Sequence, residues 1–137
     1  MNAVEALKKV EEYAVTIKNN DPVVYEEFPI NAIHWQGDVG VWRIEKLPKY
    51  AEEIKNPNAQ LAPGTSKGSR HIVKSSDMNH ITFYRNKDRT VLEGDILDCK
   101  KAVEITHPEH GNVTVPEGIY AIVYQRAYAE ELRRIAD

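Results

Sequence analysis

The stretch Val113-Thr-Val-Pro-Glu-Gly-Ile-Tyr-Ala-Ile-Val-Tyr124 shows the pattern that decides the fold. Two runs of β-branched and aromatic residues flank Pro-Glu-Gly, which is typical of a turn between strands. Similar short runs, separated by turn residues, recur at 23–25, 33–35, 39–44, 71–73, 81–84, 91–97 and 103–105. A short helix is expected over 48–55. Strands at this spacing predict a mainly β fold, a small antiparallel β-barrel or sandwich.

The two ends of the chain have a different pattern. Residues 1–20 are expected to form an N-terminal amphipathic helix, and 129–136 a short C-terminal helix within the β-barrel or sandwich domain of residues 22–137. The apolar stripe of the first helix either packs on the domain or docks on a protein partner or a second copy. The last strand adds tyrosines that share one face, which form an interaction stripe if exposed and core packing otherwise. The candidate interaction residues are Val4, Leu7, Val10, Ile17, Tyr120 and Tyr124.

Composition restricts the class of protein. The 137 residues are 42% hydrophobic and 28% charged, which is typical of one soluble globular domain. The formal net charge of -3 argues against general nucleic-acid binding. The apolar runs are far shorter than the roughly 20 residues that cross a bilayer, and the single Cys99 cannot form an internal disulfide. A cytoplasmic protein, or a phage particle component, is expected, without membrane association.

The segment His107-Pro-Glu-His110 is the densest group of potential metal ligands. Together with His71 it offers three imidazoles for a divalent transition metal, with Glu109 as fourth ligand or general base. The alternative is that the histidines cap backbone groups at a hairpin and that no cofactor is bound.

The loop over residues 62–70 is the second candidate site. Gly64 and Gly68 allow backbone N–H groups to converge on a ligand, and hydroxyl and cationic side chains surround them. The spacing is not that of a P-loop. The candidate anion-binding residues are Thr65, Ser66, Lys67, Ser69 and Arg70, and the alternative is a solvated connector.

Two longer motifs occur in order along the chain. Gln36-Gly-Asp is followed by a strand and Leu47-Pro48, and His107-Pro-Glu-His110 by Val115-Pro-Glu-Gly-Ile-Tyr120 and Gln125-Arg-Ala-Tyr128. From about residue 36 to 137 the chain resembles a family of small uncharacterised bacterial and phage proteins with no established activity. Many members carry Gly-His-x-His where this chain has Gly68-Ser-Arg-His71. If the family has a metal site there, the resemblance implies that three histidines remain here.

The sequence lacks a recognisable catalytic signature, including the Gly-x-Ser-x-Gly elbow. It therefore predicts a non-catalytic interaction or assembly module, such as a phage structural or accessory protein. Two alternatives remain open: a cupin-like metal-binding protein or enzyme with a three-histidine site, and an anion or small-ligand binder acting through the loop 62–70.

Overall fold

The computed structural model describes residues 21–126. The helices expected over 1–20 and 129–136, with Val4, Leu7, Val10 and Ile17, lie outside this range. No helix within residues 21–126 is long and apolar enough to cross a membrane. Two short 3-10 helices cover Lys67–Ser69 and Ser75–His80. The strands are β1 (Val23–Val24), β2 (Ile33–Gln36), β3 (Val39–Ile44), β4 (Ala51–Glu53), β5 (Ile72–Val73), β6 (Ile81–Asn86), β7 (Glu93–Cys99), β8 (Val103–Thr106), β9 (Val113–Val115) and β10 (Gly118–Tyr124).

The strands form two sheets that share one core. The larger sheet has the order β2-β3-β10-β7-β6-β4, and the smaller one has the order β1-β9-β8-β5. Neither sheet closes on itself among the described residues, so the fold is sandwich-like and the barrel alternative is wrong. Buried residues of both sheets, such as Val41 and Ile122 of the larger and Val103 and Ile105 of the smaller, belong to the same apolar cluster.

One strand pair departs from the antiparallel arrangement that the sequence predicts. β1 pairs with β9 in parallel, with Val23 opposite Val113, whereas the other strand pairs are antiparallel. A tight hairpin enforces antiparallel pairing, but a long connection does not. Because most of the chain separates β1 from β9, their direction is set by packing and not by a turn.

The segment 48–55 is also corrected by the structure. Instead of a helix it contains β4, whose residues Ala51 and Glu53 lie opposite Asn86 and Tyr84 of β6. The backbone N–H of Ile54 then donates to Phe83 O. Pairing with the exposed edge of β6 satisfies the backbone here, which the local sequence pattern does not reveal.

Both tyrosines of β10 face the core side of the larger sheet. Tyr120 is 0% exposed, and its hydroxyl donates to Pro116 O. Tyr124 packs against the core, and its hydroxyl donates to Leu61 O. Both tyrosines therefore pack in or against the core. Tyr120 is not exposed, so it cannot belong to an exposed interaction stripe.

The amide side chain of Gln36 forms a hydrogen bond between the two sheets. Gln36, the last residue of β2 in the larger sheet, is 2% exposed. Its Nε2 donates to Ile105 O of β8 in the smaller sheet and to Gly111 O, both at 3.0 Å. A carbonyl of β8 and one in the loop between β8 and β9 thus depend on a side chain of the other sheet.

Replacing Gln36 tests this link. Gln36→Met keeps the length of the side chain but removes both donors, so the carbonyls of Ile105 and Gly111 lose their partners. We expect the free energy of unfolding to fall by about 3 kcal/mol in urea titrations. The matched control is Gln125→Met at an exposed position, which should change stability by less than about 0.5 kcal/mol. Equal effects of both substitutions would contradict the proposed link.

Candidate functional site

His107 follows β8 and organises the loop that leads to β9. Its Nδ1 accepts hydrogen bonds from the backbone N–H groups of Glu109 and His110, both at 3.0 Å. That nitrogen is therefore unprotonated, and Nε2–H donates to Gly68 O at 3.1 Å. Both ring nitrogens of this buried imidazole are engaged with backbone groups, and one of them reaches across to the loop 62–70.

His71 is 1% exposed and bonds to the same amide that joins the sheets. Because the Gln36 nitrogen is the donor to two carbonyls, its Oε1 is the acceptor, and His71 Nδ1–H donates to it at 2.8 Å. The ring centroid of His71 lies 4.3 Å from that of His107, which in turn lies 4.8 Å from that of His110. The three candidate histidines thus lie next to one another in the order His71, His107, His110, with tilted rings, from the buried His71 to the exposed His110.

The hairpin between β2 and β3 makes room for the outermost ring. Gly37 has a φ of 58°, as the first position of a two-residue hairpin loop of type II′ requires. A Cβ at Gly37 would lie 2.7 Å from two atoms of the His110 ring. A side chain there would therefore displace His110 as well as strain the turn.

The predicted metal ligands have other roles in this arrangement. Residues 21–126 contain no group of three or more His, Cys, Asp or Glu side chains placed to hold a metal ion. Ligation by His107 would first require the loss of its bonds to the backbone. Glu109 is exposed, and its backbone N–H caps the His107 ring. His107 thus caps backbone groups, and tilted ring contacts join it to His71 and His110.

The loop 62–70 is held in place by its own side chains and by its neighbours. The Gln60 amide donates to Ala62 O at 2.7 Å and to Gly64 O at 2.8 Å. Gly64 has a φ of 118°, a region that side chains with a Cβ rarely adopt. The hydroxyls of Ser66 and Ser69 bond to each other at 3.0 Å, and Ser69 is buried. Of the predicted anion-binding residues, these two serines therefore stabilise the loop.

The other three predicted anion-binding residues line one groove. Thr65, Lys67 and Arg70 form one wall of a cavity of about 610 Å³. The second wall comes from strands β5 and β8 and from the loop after β8. It consists of Ile72, Thr106, His107 and Pro108. The groove therefore combines a cationic loop with a largely apolar wall.

Within residues 21–126, no ion pair balances the cationic side chains of this groove. Neither Lys67 nor Arg70 takes part in the ion pairs formed among the described residues. No Asp or Glu among residues 21–126 lines the groove. The backbone N–H groups of residues 64–68 donate no hydrogen bond within the described part of the chain. The loop thus carries donors and positive charge that have no partner within residues 21–126.

Sequence reasoning missed the residues that complete the site from other parts of the chain. Ile72, Thr106 and Pro108 carried no ligand-binding signal, and they reach the groove only because β5 pairs with β8. In the sequence, Gln36 is notable only as part of the Gln36-Gly-Asp motif, which does not predict its hydrogen bonds. Gln36 directly precedes the Gly37-Asp38 hairpin turn, and this position is the sequence feature that could have indicated its structural role.

The fold and the groove define a two-sheet β domain with a cationic surface cleft. The chain belongs to the family described as a domain of unknown function, DUF8820, whose model matches residues 35–125. This agrees with the resemblance to an uncharacterised family. Neither the curated proteins nor the solved structures contain a match to this chain.

Two buried imidazoles predict how stability depends on pH. The pKa of His34 and that of His71 are both lowered from 6.5 to about 4, mainly because burial penalises the charged ring. Repulsion from His107 and His110 adds to the effect at His71. Between pH 6.5 and 4 the unfolded chain therefore binds more protons than the folded one, and stability falls as the pH falls through this window.

Thermal unfolding followed by circular dichroism tests this dependence. The midpoint temperature should decrease as the pH is lowered from 6.5 to 4, and it should change little between pH 8 and pH 7. His71→Asn retains an N–H donor for Gln36 but cannot titrate, so its midpoint should fall less over the same window. An identical pH profile in both proteins would contradict the assignment to His71.

Proposed function

We propose that this domain is a binding module that takes a small organic anion in the groove between the loop 62–70 and the β5–β8 wall. The observation that carries the proposal is the pairing of two cationic side chains, Lys67 and Arg70, with a largely apolar wall, where residues 21–126 contribute no carboxylate. A ligand with a negative head and an apolar body would match both halves. A groove of about 610 Å³ falls within the range of about 300–1,000 Å³ typical of small-molecule sites.

The bonds around the loop support affinity as well as position. Binding is weakened when a loop must lose freedom to form the site. Here the Gln60 amide, the serine pair and the bond from His107 to Gly68 O constrain the loop before a ligand arrives. The histidines therefore support the binding loop and are not required to touch the ligand with their nitrogens.

Matched naphthalene compounds test the proposal by isothermal titration calorimetry. We expect 2-naphthoate or 2-naphthyl phosphate to bind, and the uncharged 2-naphthol to bind at least about tenfold more weakly. Lys67→Ala and Arg70→Ala should each weaken binding of the anion by about tenfold, since a charge-assisted hydrogen bond is lost. The control is Lys46→Ala, an exposed lysine outside the groove. Binding that favours naphthol, or that falls equally in the control, would refute the proposal.

An assembly role is the second candidate, and the outer face of the larger sheet supports it. Val41 and Ile122, which are opposite one another, point into the core, so the adjacent row of Ile33, Trp42 and Ala121 faces outward. Trp35, on the same outer face of β2, is 37% exposed. β2 pairs with β3 alone among residues 21–126, so its other edge has no strand partner within that range. We propose that a second copy of the chain docks on this edge.

The oligomeric state tests this second proposal. Light scattering at increasing protein concentration should show a mass above the 15.6 kDa of one chain. Trp35→Lys places charge at the proposed contact and should return the mass to that of one chain. Val91→Lys, at a position that is 56% exposed and outside the β2 edge, should not change the mass. A wild-type protein that stays monomeric at high concentration would refute the proposal.

Two further expectations from the sequence stay predictions. A divalent transition metal at His71, His107 and His110 is less well supported than an anion, because both His107 nitrogens already bond to the backbone. The bacterial or phage origin comes from the resemblance alone, whereas the cytoplasmic location is expected from the composition. Metal analysis of protein purified without a His-tag tests the first of these expectations.

A further inference from the structure

We infer that the anion bound in the groove is a phosphate monoester of an apolar alcohol or phenol, an inference that rests on the proposed function. Three properties of the groove point to this chemical class. They are the number of uncompensated charges, the kind of donors still free, and the apolar character of the second wall.

The number of charges favours a dianion. Lys67 and Arg70 both line the groove, and neither forms an ion pair with another described residue. A carboxylate or a sulfate ester carries one negative charge and would offset one of the two cations. A phosphate monoester carries about −1.5 to −2 charges near pH 7 and would offset both. No carboxylate from the described part of the chain lines the groove to balance them.

The free donors suit a head group with three acceptor oxygens. Thr106 Oγ1 donates to Ile72 O, and His107 Nε2 donates to Gly68 O. These two donors of the β5–β8 wall therefore already have partners within the protein. Among the described lining residues, the donors that remain belong to the loop: the Arg70 fork, the Lys67 ammonium and the Thr65 hydroxyl. Guanidinium and ammonium groups are the usual partners of phosphate oxygens.

The remaining wall determines the other half of the ligand. Ile72 and Pro108 offer apolar surface, while the polar groups of Thr106 and His107 are already engaged as donors. A ligand body rich in hydroxyl groups would find few hydrogen-bond partners there. An apolar body would instead bury hydrocarbon surface against this wall. The ester group is therefore expected to be aliphatic or aromatic.

Three naphthalene ligands that differ only in the head group test the inference by calorimetry. The ligands are 2-naphthyl phosphate, 2-naphthyl sulfate and 2-naphthoate, measured near pH 8, about two units above the second phosphate pKa near 6. The phosphate should bind at least about tenfold more tightly than the sulfate, which has the same tetrahedral shape but one charge fewer. Inorganic phosphate should compete at least about tenfold more weakly than 2-naphthyl phosphate.

Variants show whether both cations are responsible. In Lys67→Gln the ratio of phosphate to sulfate affinity should fall towards one, while Lys46→Gln should keep the wild-type ratio. An unchanged thermal midpoint in Lys67→Gln excludes misfolding, and Lys67→Ala provides a second variant at the same position.

The outcomes separate the two proposals. Equal binding of phosphate, sulfate and carboxylate would overturn the phosphate inference but support the organic-anion site. A Lys67→Gln variant that keeps the wild-type ratio would also overturn the phosphate inference. Inorganic phosphate that competes as strongly as 2-naphthyl phosphate would overturn the apolar ester group. Failure of all three ligands to bind would overturn the inference and the proposed function together.

Discussion

The buried amide of Gln36 is the constraint on which the arrangement of this domain depends. Its nitrogen bonds to two carbonyls of the β8 and β9 region, and its oxygen accepts from His71. In a low-dielectric interior such a network is stable only when its members are satisfied together. The larger sheet, the smaller sheet and the start of β5 must therefore come to one point for the core to close around this side chain.

The candidate site is built outward from this network. The ring of His71 contacts the tilted ring of His107, and His107 donates a hydrogen bond to Gly68 O in the cationic loop. Through these contacts a polar cluster inside the sandwich determines where Lys67 and Arg70 stand at the surface. The histidines thus hold the loop in position, and in the proposed anion site they would act through the loop and not as ligands.

Local charge decides the chemistry of the groove more than the charge of the whole chain. The protein carries a net charge of -3, yet no acidic side chain of the part that the structure describes lines this cavity. Screening in water limits the influence of carboxylates farther away than about 10 Å at moderate salt. A chain that is acidic overall can therefore present a cationic site wherever the fold keeps carboxylates out of it.

The amino-acid sequence by itself determined the β-rich class, most of the strands and the two loops that carry the site. These features depend on neighbouring residues: alternation within strands, and glycine or proline in turns. Lys67, Arg70 and the histidine segment could be chosen as candidates for the same reason. The coarse fold and the loop of the site were thus within reach of sequence reasoning.

Tertiary structure alone decided the parallel β1–β9 pair, the strand at residues 51–53, the second wall of the groove and the roles of the histidines. Each depends on partners that are distant along the chain. Gln36 bonds to groups 69 and 75 residues away, and His107 bonds to a carbonyl 39 residues away. Local patterns report which side chains are apolar or flexible, but not which distant backbone group a buried polar atom must satisfy. That choice is made by the packing of the two sheets against each other.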